Sequence, residues 1–241
     1  MAFLQPQSSD PWTRQPMFRA PAVVVSLIAI LVAAHGARAM VPANLSAELI
    51  NQFAFIPARY SHVFLASHNV DPGGWLAQLV PFVSYMALHN DGTHLIINSL
   101  WLLAFGPIVA RRFGGFLFLL FFLTCGVAGA LTHLAFNWGS LVPVIGASGA
   151  ISGLMAAGLR LLPAQAPWAQ AGEERMAPVF SRQIFVFTLI WMGINLVAGV
   201  TGLGVGGEAG MIAWQAHLGG YLAGLFLAGP FDRLRPRLNV I

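Results

Sequence analysis

Long apolar runs, interrupted by short charged or proline-containing stretches, extend over most of this chain. Arg19 and Arg38 bracket the first run, and Asp91 and Arg111 bracket the second. A helix of ~20 apolar residues crosses the hydrocarbon core of a bilayer and satisfies its own backbone hydrogen bonds. We therefore predict an all-α, polytopic membrane protein with one six-helix domain, residues 22-230. The predicted spans cover residues 22-40, 92-110, 115-137, 148-163, 183-200 and 211-229.

The stretch between the first two spans predicts a long loop on the outer side of the membrane. Gly74 to Leu88 is apolar within this loop, but the run is short and contains Pro81. We interpret it as an interfacial or re-entrant element rather than a seventh span. Residues 1-21 contain four prolines and predict a disordered cytoplasmic tail, and residues 231-241 predict a second, short cytoplasmic tail.

Composition agrees with a membrane protein, because 57% of the residues are hydrophobic and only 8% are charged. Soluble domains carry about a quarter charged residues. All twelve basic residues are arginines, and they lie between the apolar runs instead of on one face or tail, which argues against a nucleic-acid partner. If both termini are cytoplasmic, Arg38 and Arg59 alone lie outside. This bias follows the positive-inside rule and supports a multi-pass protein with both termini cytoplasmic. The arginine-only basic content and the bare six-helix core indicate a bacterial inner membrane.

The first span has an alternative interpretation as a cleavable signal peptide. Arg14 and Arg19 precede its apolar core, and Ala37-Arg38-Ala39 follows it. An arginine within a cleavage site is unfavourable, and removal of this segment would leave five spans. We therefore favour a retained helix.

Four polar residues within or at the ends of the predicted spans are candidates for function, because polar side chains in a bilayer are costly. They are His94 and Asn98 on span two, Ser148 at the start of span four, and His217 on span six. Spans two, four and six run inward from the outer face in this topology. Asn98 and His217 then lie roughly 10 Å below that surface. His94 and Asn98 are four residues apart and share one helical face.

Glycines surround two of these candidates. Ser148 lies in Gly146-Ala147-Ser148-Gly149, where a helix start offers unpaired N–H groups to a developing oxyanion. Small residues spaced four apart let two helices approach closely. Such pairs occur on span four and span six, at Gly149 and Gly153 and at Gly220 and Gly224. Close approach of these faces would let His217 reach Ser148.

These residues together resemble the signatures of rhomboid proteases. The matching motifs are His89-x4-His94-x3-Asn98, Gly146-Ala147-Ser148-Gly149 and Ala216-His217-x2-Gly220-x3-Gly224. The resemblance extends over residues 80 to 229 and more loosely over the rest. It implies a six-helix rhomboid bundle with a water-filled cavity that opens to the outer side.

The resemblance also implies an activity and a role for each residue. Ser148 would be the nucleophile and His217 its base, in a dyad without a third acid. His94, Asn98 and the Ser148 N–H would form the oxyanion hole, and His89 would be structural. No cofactor or metal is implied, and substrates would be single-span or other membrane proteins in the lipid bilayer. The chain departs from the family at Ser152, where many rhomboids have an aromatic residue. Thr201 to Gly210 would form a mobile cap over the cavity.

Other classes of membrane protein fit the sequence less well. A zinc protease needs His-Glu-x-x-His, which is absent, and no predicted span contains an aspartate for an aspartyl protease. A transporter predicts repeated halves with broken helices, which we do not find. The main alternative is a catalytically inactive rhomboid-like protein that binds transmembrane helices as a chaperone or dislocation factor. Such a protein would be expected to lack the serine or the histidine, and both are present.

Overall fold

The computed structural model describes residues 20–162, 176–201 and 213–235. Six longer helices form a bundle, and their bounds are α1 Ala22–Ala39, α6 Gly92–Phe113, α7 Gly115–Phe136, α8 Ser148–Leu161, α9 Arg182–Thr201 and α10 Trp214–Leu234. Between α1 and α6 lie four shorter helices, α2 Ala43–Phe53, α3 His62–His68, α4 Trp75–Leu79 and α5 Pro81–Ser84, with single 3-10 turns at Pro57–Tyr60 and Tyr85–Ala87. The prediction of an all-α polytopic fold is confirmed.

Four helices, α1, α6, α7 and α9, are long and apolar enough to cross a membrane. Helix α8 has 14 residues, and at 1.5 Å per residue its length is roughly 21 Å, less than the hydrocarbon thickness. It is buried without interruption from Gly149 to Gly158, because it packs against α6, α7 and α10 in the middle of the bundle. The exact membrane boundaries of the six helices stay predictions.

The apolar run of the first loop, predicted to be interfacial or re-entrant, forms short helices. The run breaks at Val80 and Pro81, between α4 and α5, and no helix in it reaches spanning length. Trp75, Leu76 and Leu79 are exposed. Contact of these side chains with the membrane interface stays a prediction.

The first loop also contacts the segment that precedes α8. Phe55 and Val144 form an antiparallel bridge, with N–O distances of 3.1 and 2.8 Å. The Ala58 N–H donates to the Ser140 carbonyl at 2.9 Å. Phe55 and Val144 are buried, so this segment lies within the protein before α8 begins. Helix α8 therefore starts close to a buried contact with the first loop.

Candidate active site

Ser148 is the first residue of α8, two residues after a glycine with a positive φ. Gly146 has a φ of +115°, in the region that favours glycine, and its N–H donates to the Tyr85 carbonyl at 2.9 Å. Ala147 is fully buried, while Ser148 is only partly buried. The N–H groups of a first helical turn have no intrahelical acceptor. The turn thus presents the Ser148 hydroxyl and its backbone N–H together.

Helices α8 and α10 approach closely along the glycine faces noted in the sequence. A Cβ atom on Gly220 would overlap the carbonyl of Gly149, and one on Gly224 would overlap the backbone of Gly153. All four positions are buried. Only glycine permits this separation of the two backbones, which we call the α8–α10 seam.

The seam brings the predicted nucleophile and base together. The Nε2 atom of His217 lies 2.7 Å from the Oγ atom of Ser148, a hydrogen-bond distance. His217 is in the first turn of α10, and both side chains are partly buried. Two residues 69 positions apart in the chain therefore form one polar pair.

The other nitrogen of the same ring has a partner that the sequence analysis did not identify. The Nδ1 atom of His217 lies 2.5 Å from the Oδ1 atom of Asn195 on α9. Asn195 is 4% exposed, and its Nδ2 donates to the Trp191 carbonyl at 2.7 Å. An asparagine within an apolar span was a detectable signal, by the same criterion that identified Asn98. The sequence-based prediction of a dyad without a third acid did not include a neutral partner for the ring.

Two further predicted site residues pack beside Gly146. A Cβ atom on Gly146 would lie 2.8 Å from the His94 Nε2 and 3.6 Å from the Asn98 Nδ2. Asp91 caps α6 by accepting from the His94 N–H at 2.9 Å. Among the described residues, the buried Nδ2 of Asn98 has no hydrogen-bond partner. Asn98 also lines the cavity described below, so its Nδ2 can donate to a group bound there.

His89 lies just before α6 and is fully buried. Its ring packs edge-on against His94, with centroids 5.1 Å apart, and its carbonyl accepts a hydrogen bond from Arg38. Burial, with a smaller contribution from the neighbouring His94, lowers the pKa of His89 to about 4. His89 is therefore neutral at physiological pH, and its ring packs against the ring of His94.

Ser152 occupies the position where an aromatic residue was expected from the family resemblance. It is buried, and its Oγ donates to the Ser148 carbonyl at 2.8 Å. The hydroxyl thus bonds back along α8, as serines in apolar helices commonly do. It does not provide a ring surface for His217, whose ring nitrogens are hydrogen-bonded to Ser148 and Asn195.

A cavity of about 740 Å³ surrounds the polar pair. Its lining includes the predicted residues Ser148, His217, His94, Asn98, Gly146 and Gly149, together with Asn195. His89, Ala147, Gly220 and Gly224 lie outside this lining and shape the site through packing. The predicted cap, Thr201 to Gly210, lies outside the described residues except for Thr201. Within the described part of the chain, no group of three or more metal-ligating His, Cys, Asp or Glu residues occurs.

Comparisons with known proteins point to one family. Residues 76–232 match the family model of the rhomboid domain. The chain is 31% identical over 157 residues to the rhomboid protease GluP of Bacillus subtilis (strain 168). This alignment covers 65% of the chain but only 26% of GluP, so the chain corresponds to about a quarter of that relative. The residues matched by the family model include both members of the Ser148–His217 pair.

Proposed function

Because this integral membrane protein belongs to the rhomboid family, we propose that it is an intramembrane serine endopeptidase with Ser148 as nucleophile and His217 as general base. The observation that carries this proposal is the 2.7 Å distance between the His217 Nε2 and the Ser148 Oγ. A serine hydroxyl is a weak nucleophile alone, and a neutral imidazole at hydrogen-bond distance can take its proton.

The reaction would proceed in two halves, the acylation and the deacylation of Ser148. The Ser148 Oγ attacks the carbonyl carbon of the scissile peptide bond while its proton moves to the His217 Nε2. The imidazolium then gives this proton to the departing amine, which leaves an acyl-enzyme on Ser148. A water molecule then loses a proton to the same nitrogen and attacks the ester carbonyl. The bond to the Ser148 Oγ breaks, this oxygen takes the proton back from His217, and the second product is released as the acid.

Three donors would stabilise the oxyanion of each tetrahedral intermediate. These are the Ser148 N–H at the start of α8 and the side chains of His94 and Asn98. The unpaired Nδ2 of Asn98 supports this assignment, since the group lies in the cavity wall without an acceptor. Donors that are already oriented contribute strongly where water is excluded.

The substrates would be single-span or other membrane proteins, cut near the outer face. The cavity lining includes Ser148, the first residue of α8, and this end of α8 faces outward if the termini are cytoplasmic. The arginine distribution supports cytoplasmic termini and a bacterial inner-membrane location. The substrate backbone would need to be unwound locally to expose its carbonyl to Ser148.

The test is cleavage of a single-span rhomboid substrate by the purified protein in detergent or lipid nanodiscs. We expect wild type to cleave it and Ser148→Ala and His217→Ala to lose at least roughly 10³-fold in rate, because nucleophile and base act as a unit. Ser152→Ala is the matched control, since it removes another α8 hydroxyl that does not touch the His217 ring. Its rate should stay within a few-fold of wild type.

Either of two results would overturn the proposal. Cleavage that survives in Ser148→Ala would mean that another group, or a contaminating protease, performs the reaction. A folded wild-type protein that cuts none of several substrates would favour the non-catalytic role in binding transmembrane helices.

A further inference from the structure

Asn195 lies on α9, a helix that otherwise presents mainly apolar side chains. The buried residues of α9 are Ile184, Asn195 and Gly199. Asn195 makes two hydrogen bonds at once, to the Trp191 carbonyl and to the His217 ring, at 2.7 and 2.5 Å. A side-chain amide buried in a membrane is costly unless both of its ends are paired, and here both ends are.

The first hydrogen bond determines which end of the amide faces His217. A backbone carbonyl only accepts, so the amide nitrogen must point to Trp191. The amide oxygen, which only accepts, then points to the Nδ1 of His217. This nitrogen must therefore carry the ring proton. In a neutral imidazole the other nitrogen, Nε2, is left with its lone pair free to accept from Ser148.

We propose that Asn195 is a positioning residue that holds His217 in the Nδ1–H tautomer with Nε2 directed at Ser148. The inference rests on the proposed function, because it assigns Asn195 a part in activating the proposed base. When Nε2 takes the serine proton, Nδ1–H keeps its acceptor, so the ring does not need to turn during the reaction. The amide is neutral, and it orients the ring without placing a carboxylate in the bundle.

The Asn195–His217 hydrogen bond adds a third helix to the site. His217 and Ser148 come from α10 and α8, whereas Asn195 comes from α9. Position 152, one turn after the nucleophile, supplies a serine hydroxyl that bonds to the α8 backbone. The ring is thus oriented by Asn195 at one nitrogen and by Ser148 at the other.

The test compares two α9 side chains that both bond to α10. Asn195→Leu removes the acceptor for Nδ1–H and keeps the branching at Cγ and the number of side-chain heavy atoms. Thr188→Val removes the hydrogen bond between the Thr188 and Tyr221 hydroxyls, 2.7 Å long, which lies away from the cavity lining. Asn195→Asp keeps an acceptor oxygen for Nδ1–H in either protonation state. Wild type and Ser148→Ala run in the same assay, with kcat, KM and the thermal midpoint measured for each protein.

We expect Asn195→Leu to lower kcat ~10- to 100-fold, below the ~10⁴-fold loss seen when a charged orienting group is altered in a Ser-His-Asp triad. KM should change by less than about twofold, because both ends of the Asn195 amide are already paired, with the Trp191 carbonyl and with the base. Thr188→Val should lose a comparable amount of thermal stability but keep at least about half of the turnover. Asn195→Asp should turn over at least about fivefold faster than Asn195→Leu.

The inference is overturned if Asn195→Leu keeps the turnover of Thr188→Val, if its loss lies in KM alone, or if Asn195→Asp is no faster than Asn195→Leu. Each of these results leaves the protease assignment intact, provided that wild type cleaves and Ser148→Ala does not. If wild type does not cleave, the proposed function fails and the role of Asn195 fails with it.

Discussion

Helices α8 and α10 pack backbone to backbone, whereas α9 lies beside them with most of its side chains exposed. Burial on α8 is continuous from Gly149 to Gly158. On α9, Leu189, Ile190 and Val197 are more than half exposed. In a bilayer such exposure costs little, because lipid tails are as apolar as these side chains.

The difference shows how a membrane protein attaches its helices without a hydrophobic driving force between them. The α8–α10 seam relies on close approach at glycines, which brings many backbone atoms into van der Waals contact. Helix α9 contacts α10 through a small apolar cluster that contains Ile184 and Leu225. Two hydrogen bonds, Asn195–His217 and Thr188–Tyr221, add to this contact. The proposed nucleophile and base both lie on the rigid seam, and the orienting amide lies on the less tightly packed helix.

The largest effect is expected from adding one carbon atom to the seam. In Gly220→Ala, the new Cβ would overlap the Gly149 carbonyl, a backbone group that cannot move away cheaply. Overpacking costs roughly 1–3 kcal/mol or more, and a 1 Å displacement of a catalytic group can cost ~10²-fold in rate. We expect kcat/KM to fall at least about 100-fold and the thermal midpoint to fall by several degrees, measured by cleavage assay and by thermal unfolding.

The matched control places the same carbon atom on α9. A Cβ atom on Gly193 would meet nothing within 4 Å. Gly193→Ala should therefore keep wild-type activity, and it should gain slightly in stability because alanine favours the helix by about 1 kcal/mol over glycine. If the two alanine variants behaved alike, the distinction between a close-packed seam and a loosely packed α9 would be wrong.

Part of this arrangement could be predicted from the residues alone. The spacing of His94 and Asn98 and the two small-residue faces followed from helical geometry, and they predicted which side chains could converge. Asn195 could be recognised as a polar residue within an apolar span. Its contact with the Nδ1 of His217 could not be predicted, because the sequence does not show which face of α9 points inward. The fourth span, predicted over residues 148-163, stays a prediction at its far end, where α8 is described as Ser148–Leu161. Residue 163, included in the predicted fourth span, lies outside the described residues.

A second prediction concerns the other end of α10, which an ion pair ties to α6. Arg112 contacts both carboxylate oxygens of Asp232, at 2.6 and 2.9 Å, and the two side chains are 9% and 19% exposed. Removing one partner of a largely buried pair costs roughly 3 kcal/mol. We expect Asp232→Ala to lose about this free energy of unfolding, while turnover changes less than about threefold, because Asp232 is roughly 22 Å along the helix from His217.

The control for that change is Arg233→Gln, which alters a charge on an exposed neighbouring residue. Its free energy of unfolding should change by less than about 0.5 kcal/mol. A large loss of turnover in a fully folded Asp232→Ala variant would mean that the C-terminal end of α10 influences the Ser148–His217 pair. The α8–α10 seam would then not hold this pair independently of that end.

The smallest expected effect is a change in stability with pH. It tests whether a buried polar group or apolar packing attaches the first loop to α6, because pH affects only titratable groups. The fully buried His89 connects the first loop to α6, and burial lowers its pKa to about 4 from an ordinary value near 6.5. His94, His35 and Arg38 are the nearby groups whose charges oppose its protonation. The folded protein therefore keeps His89 neutral, while the unfolded chain takes up a proton below pH ~6.5. The contribution of His89 to stability is complete above that pH and is lost as the pH falls toward 4.

Between pH 7.5 and pH 5 we expect this residue to account for a loss of about 2 kcal/mol in the free energy of unfolding. In His89→Gln, which is less stable at pH 7.5, the loss over the same interval should be smaller by that amount. His68→Gln, at an exposed histidine on α3, should keep the wild-type dependence. An unchanged pH dependence in His89→Gln would mean that the loop is attached mainly by apolar packing, as the seam is, and not by this buried polar group.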